Sequence, residues 1–135
     1  MSKTKTKVMA LSAVAVVAAL GIGTLAAQQP GFKRTPVQKQ ELSIKDRDAV
    51  QAIAEFVPGG SAGRHTHPGE ELSYVMEGTL VLEIDGQPPR TLKAGDSFFV
   101  PAGKIHDGKN VGNGPLKVFA TYIVERGKPV ATPAK

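Results

Sequence analysis

Leu80, Leu82 and Ile84 alternate with Thr79, Val81 and Glu83 in the stretch TLVLEIDG. A period of two puts the first three on one face and predicts a half-buried strand. Asp85-Gly86 then supplies a hairpin turn. The same punctuated pattern runs on either side. LSYVMEG predicts a strand ended by Gly78, and QPPRTLKAGD crosses to a second turn at Gly95-Asp96. SFFVPAG is a short apolar strand ended by Pro101 and Gly103, and PLKVFATYIVE is a longer last strand. Upstream, ELSIKDRDAVQAIAEFVPGG has apolar positions that fit two periods. A strand from Ala49 to Val57 fits better than a helix, because Pro58-Gly59-Gly60 stops it and no helix cap is present. Short strands spaced roughly ten residues apart predict an all-β sandwich or barrel.

The first 27 residues do not belong to that pattern. Lys3, Lys5 and Lys7 precede an uncharged run from Val8 to Phe32, whose apolar part is VMALSAVAVVAALGIG, followed by small residues. A basic start, an apolar middle and a small-residue end predict a signal peptide cut near Ala26 or Ala27. The apolar run falls short of the roughly 20 residues that span a bilayer, which favours cleavage over a retained anchor. Without a twin-arginine pair the general secretory route is expected, with the periplasm or the exterior as destination. The chain divides into a signal peptide (1–27), an extended proline-containing arm (28–40), one folded domain (41–125) and a flexible, exposed tail (126–135).

Composition adjusts this picture in three ways. The 135 residues allow one domain with a modest core, and 15 glycines with 10 prolines suit frequent turns. The net charge of +5 falls to about +2 once the signal is removed, leaving 14 basic against 12 acidic side chains. That balance, with no basic patch interleaved with aromatics, does not point to nucleic acid. There is no cysteine, so an oxidising compartment gives this fold no disulfide support, and a lipid anchor on an N-terminal cysteine is excluded.

The candidate chemistry lies in GRHTHPGEE, Gly63 to Glu71. His65 and His67 are two apart on an extended segment and project to the same side. Neutral imidazoles so placed can share a divalent ion. Pro68-Gly69 turns the chain, and either Glu70 or Glu71 could return to that ion. Parity puts Glu71, Ser73 and Val75 on one face and Glu70 with Leu72 on the other, without saying which face is inside. The third histidine of the chain, His106, follows a Pro-x-Gly corner in GDSFFVPAGKIHDGKN. Asp107, next to it, should point away.

Ten positions together resemble the two motifs of the cupin superfamily. Gly59, His65, His67, Glu71 and Gly78 satisfy G-x5-H-x-H-x3,4-E-x6-G. Gly95, Pro101, Gly103, His106 and Asn110 satisfy G-x5-P-x-G-x2-H-x3-N. The short interval between the motifs is similar to that of small single-domain bacterial cupins. The resemblance implies a double-stranded β-helix, or jelly-roll barrel, and implies that Glu71, not Glu70, is the fourth ligand beside His65, His67 and His106. Gly59, Gly78, Gly95 and Gly103 would allow corners that a Cβ obstructs. Asn110 would hold a loop by hydrogen bonds.

Three neutral imidazoles and one carboxylate around a divalent ion leave one formal positive charge and, in an octahedral preference, about two open positions. Mn or Fe is favoured, with Zn, Ni, Co or Cu compatible with the same donors. Such a centre suits a small anionic, oxygen-bearing chelate. The expected function is metal-dependent oxidoreductase chemistry of a dioxygenase-like kind, with Glu71 able to take a proton as in similar cupins. The alternative is a non-enzymatic binding or sensing module. Met76, Phe98, Val100, Phe119 and Tyr122 are candidates to wall the substrate pocket, though barrel core is the favoured reading of each, and Tyr74 and Arg64 are candidates to orient a substrate, though a plain surface or strand role is the favoured reading of both. The resemblance also implies a homodimer, with the 28–40 arm exchanging or covering a sheet edge.

Overall fold

In the computed structural model, residues 29–135 are described, and the expected signal segment lies outside them. Ten strands make two antiparallel five-stranded sheets, with no helix among the described residues. The strands are β1 (Phe32–Glu41), β2 (Arg47–Phe56), β3 (His65–Thr66), β4 (Gly69–Glu77) and β5 (Thr79–Ile84). They continue with β6 (Arg90–Lys93), β7 (Ser97–Val100), β8 (His106–Asn110), β9 (Leu116–Glu125) and β10 (Thr132–Pro133). One sheet has the order β1-β2-β9-β4-β7 and the other β10-β3-β8-β5-β6. This is an all-β arrangement of the sandwich or barrel kind that the strand pattern predicts, and the jelly roll that the resemblance implies.

Alternation sets the interior. On β2, every second residue from Asp48 to Phe56 is buried, and on β9 the same holds from Leu116 to Val124. The two strands pair along their full length, with Ala52 opposite Ala120. Glu71 lies between Val100 of β7 and Tyr122 of β9. The inward residues here are small (Ala52, Ala54, Ser73, Ala120), so larger polar groups have room inside. Beside and beyond them, Val75, Leu80, Leu82, Phe98, Val100 and Leu116 close the core.

Two glycines are required by geometry. Gly78, between β4 and β5, has φ +87°, and a Cβ there would stand 2.5 Å from the Pro115 carbonyl oxygen. Gly69, at the start of β4, would place a Cβ only 1.8 Å from the Ile123 oxygen, so β4 and β9 can approach here only over a glycine.

Both ends of the described chain take places in the sheets. The segment expected as an arm enters β1, which is hydrogen-bonded along β2 as a sheet edge of its own domain. The tail, expected to be flexible, folds back as β10 against β3, with Thr132 opposite Thr66. Its backbone donors and acceptors complete an otherwise open edge, as the Ala134 amide donating to the Arg64 carbonyl illustrates.

Candidate metal centre

His65 and His67 come from β3 and the turn after it, Glu71 from β4 and His106 from β8. His65 is registered opposite His106 across β3 and β8. All four side chains are buried, between 2% and 7% exposed. The three rings stand with centroids 4.2 to 4.9 Å apart, and their ligand atoms lie within 4.8 Å of one another. Glu71 Oε2 is 3.0 Å from His67 Nε2 and 3.2 Å from His106 Nε2. Glu70 lies on the opposite face of β4, beside Ile123. The structure thus brings together the four side chains that the two motifs single out.

The outer nitrogens show what the inner ones are for. His65 Nδ1 is 2.6 Å from the Gly63 carbonyl oxygen, His67 Nδ1 is 2.5 Å from that of Val130, and His106 Nδ1 is 2.9 Å from that of Lys104. A carbonyl only accepts, so each Nδ1 carries the proton and donates it. In the neutral imidazole this leaves Nε2 as a lone pair. Three such lone pairs and a carboxylate converging in a buried space repel one another unless a cation lies between them. Backbone carbonyls that fix the imidazole tautomer are the usual outer support of metal-bound histidines. The three histidines form a donor set that fits a divalent transition metal, which His65, His67 and His106, with Glu71 beside them, would hold.

The electrostatics agree. Burial of the His65 ring pushes it down to about 3, so it is neutral at ordinary pH. Burial alone would raise Glu71, but positive charge at His106 and His67, brought there by protons or by an ion, together with the Ser73 hydrogen bond, outweighs it and holds the carboxyl well below the usual range. Ser73 Oγ donates to Glu71 Oε1 at 2.6 Å and fixes the carboxylate plane. Burial, with the Glu71 charge adding to it, pushes Tyr122 up to about 12, so its hydroxyl stays protonated.

The centre opens into a small cavity lined by His65, Glu71, His106, Arg34, Tyr122 and apolar side chains. Phe98 and Tyr122 of the expected pocket wall line it. Val100 is buried in the core cluster with Phe98. Met76 and Phe119 must be corrected. Met76 sits at the irregular step between Val75 and Glu77 and is 48% exposed. Phe119 is three residues from Tyr122 on one strand and so faces outward, between Ile53 and Tyr74 on the neighbouring strands.

Neither residue suggested for orienting a substrate is at the site. Tyr74 is exposed on the outer face of β4, and Arg64 makes a two-pronged contact with Asp85. Asp107 turns away from His106 to accept from Ser61 Oγ, which in turn accepts from the Gly63 amide and so braces the loop before His65. Asn110 holds loops, donating to the Phe56 and Gly114 carbonyls and accepting from the Gly112 amide. Three contributors were not foreseen: the Val130 carbonyl, Ser73 and Arg34. Strand parity with Glu71 was a usable signal for Ser73. A backbone carbonyl 63 residues from its histidine leaves no signal in the sequence.

Comparison with known proteins agrees with the geometry. The family described as the cupin domain matches residues 52–127. The oxalate-binding protein of Thermotoga maritima is 38% identical over 83 residues, covering 61% of this chain and 68% of that protein. Oxalate oxidase 2 of Hordeum vulgare is 36% identical over 76 residues, covering 50% of this chain and 34% of that protein. A solved double-stranded β-helix protein from Klebsiella pneumoniae superposes with a TM-score of 0.64 at 21% identity, covering 81% of this chain and 89% of that one. The chain spans about a third of the length of the plant germin-like proteins it matches. With both motifs complete, their donors converging in a jelly roll and the domain matched across most of the folded residues, the chain belongs to the cupin family.

Proposed function

We propose that this chain is an exported metal-dependent oxidoreductase that takes a small oxygen-chelating anion, with dioxygenase-like chemistry as the specific form. The observation that carries the reading is the opening of the centre: His65, His106 and Glu71 line the cavity rather than being sealed from it. Mn or Fe is the favoured ion. When bound, such an ion supplies Lewis acidity and one-electron chemistry. The chain's own residues do the rest. The histidines would hold the ion, and Leu80, Leu82, Phe98 and Val118 exclude water from the cavity wall. Glu71 Oε2 faces the same space as an ionised, buried base, held in place through Oε1 by Ser73. Similarity to an oxalate oxidase supports substrates of this chemical kind.

Export rests on the 1–27 segment, and a homodimer is proposed from the exposed apolar row Leu72, Tyr74 and Phe99 on the outer face of the sheet. A second reading, a carrier or sensor without turnover, is favoured by the likeness to the oxalate-binding protein, of which two thirds is matched. The deciding experiment is metal analysis of the protein purified from its own compartment, with oxygen uptake on oxalate, catechols, flavonols and 1,3-diketones. Stoichiometric Mn or Fe with oxygen consumption supports the oxidoreductase. Tight ligand binding without consumption supports the carrier.

A further inference from the structure

Arg34 enters the cavity from β1, outside the span that the cupin domain family matches. It is registered opposite Ala54, and the next inward residue along β2 is Ala52, so its long side chain can lean across the inner face. Its Nε donates to the Tyr122 hydroxyl oxygen at 3.2 Å. Its guanidinium carbon lies 5.1 Å from the centroid of the Phe32 ring and 5.7 Å from that of Tyr122. Tyr122 in turn packs against His67 with centroids 4.6 Å apart. The Tyr122 ring is therefore the spacer between the guanidinium and the histidine cluster, and holds them within about 10 Å of each other. Among the described residues lining the cavity, Arg34 is the only arginine or lysine.

We propose that Arg34 forms an anion subsite beside the metal centre, so that the cavity selects small chelates carrying a second carboxylate. This rests on the proposed metal-centred function and specifies its ligand class. The centre keeps one formal positive charge after its four ligands, and Arg34 adds another on the same cavity. The walls between them are largely apolar, which strengthens both attractions relative to water. A ligand with one end on the metal and a carboxylate at the other spans the two charges. The planar guanidinium suits that carboxylate better than an ammonium would. Stacking on Phe32 and the Tyr122 bond pre-position it, so little side-chain freedom is lost on binding.

The test uses the Mn(II)-loaded protein, with lactate and L-malate titrated by calorimetry. The two share a 2-hydroxy-acid head, and malate adds a second carboxylate. Wild type should bind malate at least about 10-fold more tightly than lactate, the range of a charge-assisted hydrogen bond. Arg34→Gln should abolish that preference, with lactate affinity within about 3-fold and Mn content unchanged, and Arg34→Lys should keep part of it. A role confined to packing would instead move lactate affinity or Mn content. An equal malate preference in wild type and R34Q, or none in wild type, overturns the subsite alone. If neither ligand binds while Mn stays in place, the substrate reading of the centre fails, and the subsite with it.

Discussion

His65 and His106, separated by 40 intervening residues, are the registered pair between β3 and β8, with ring centroids 4.2 Å apart. Each donates Nδ1–H to a carbonyl two residues before it, Gly63 for one and Lys104 for the other. The same local device, used once on each strand, fixes the orientation of both rings, and His106 Nε2 comes to 3.2 Å from Glu71 Oε2. The centre thus depends on the pairing of two short strands, and the metal would cross-link them.

That arrangement predicts which substitutions empty the centre. His65→Ala and His106→Ala should each lower bound metal sharply, because each removes one of four converging donors and leaves three. Glu70→Ala should leave it unchanged, since Glu70 lies on the other face of β4. Elemental analysis of the purified variants decides this. Equal metal in all three would refute the ligand assignment.

Acid should weaken the metal-free protein, and the sign follows from His65. Its folded value, about 3, lies below the ordinary 6.5. Between those values the unfolded chain binds a proton that the folded chain refuses, so stability rises with pH through this window and is lost as pH falls. The Glu71 carboxyl, depressed in the fold, adds loss in the same direction below its ordinary value of 4.5. From pH 7 to 5 the His65 contribution amounts to about 2 kcal/mol. Urea midpoints of the metal-free protein at the two pH values measure it. A higher midpoint at pH 5 would contradict the neutral, buried His65.

Much of this was legible before any coordinates. The alternation in TLVLEIDG and PLKVFATYIVE marked the strands and their buried faces, and Asp85-Gly86 marked a turn, where Gly86 takes φ +83°. The His-x-His pair and His106 could be read as donors, but parity left Glu70 and Glu71 equivalent, and only the family resemblance chose between them. Phe119 was legible and was missed: three residues from Tyr122 on one strand, the two cannot both face inward. What the sequence could not show is long-range and made by the backbone. Nothing in RGKPVATPAK reports that the Val130 carbonyl receives His67 Nδ1–H, because any residue supplies a carbonyl. Nor does GEE report that Gly69 lies against the Ile123 oxygen, which depends on the β4–β9 register.

Gly69→Ala tests that last contact. A methyl 1.8 Å from the Ile123 oxygen cannot be relieved by a side-chain rotation, because the obstacle is backbone. β4 and β9 must part beside Glu71, so we expect a loss of more than about 3 kcal/mol, the range of severe overpacking. Gly86→Ala is the control: nothing lies within 4 Å of its Cβ, and only φ +83° is strained. Its cost should be about 1 kcal/mol. Thermal unfolding of the two variants separates the effects, and similar midpoints would mean that the close β4–β9 approach does not matter.

Ser73→Ala should loosen Glu71 without removing a ligand. The hydroxyl donates to Oε1 in a buried setting, and its loss leaves a carboxylate oxygen without that partner, at about 1–3 kcal/mol. The carboxylate plane is then free to turn, and metal affinity should fall about 10- to 100-fold, as for other supports of metal ligands. Competition with a chelator of known affinity measures the drop. Affinity equal to wild type would show that Glu71 is held by the histidines alone.

The tail gives the sharpest separation of fold from site. Val130 O is the acceptor that orients His67, while β10, Thr132–Pro133, is a separate contact of the same tail with β3. A chain ending at Ala131 keeps the carbonyl and loses β10. A chain ending at Lys128 loses both. If the carbonyl fixes the His67 tautomer, metal affinity should fall about 10- to 100-fold in the second truncation and much less in the first. NMR of the imidazole nitrogens gives an independent reading, since His67 should lose its single Nδ1–H form only when Val130 is removed. Equal affinity in both truncations would mean that Pro68 and the β3–β4 turn hold the His67 ring without help from the tail.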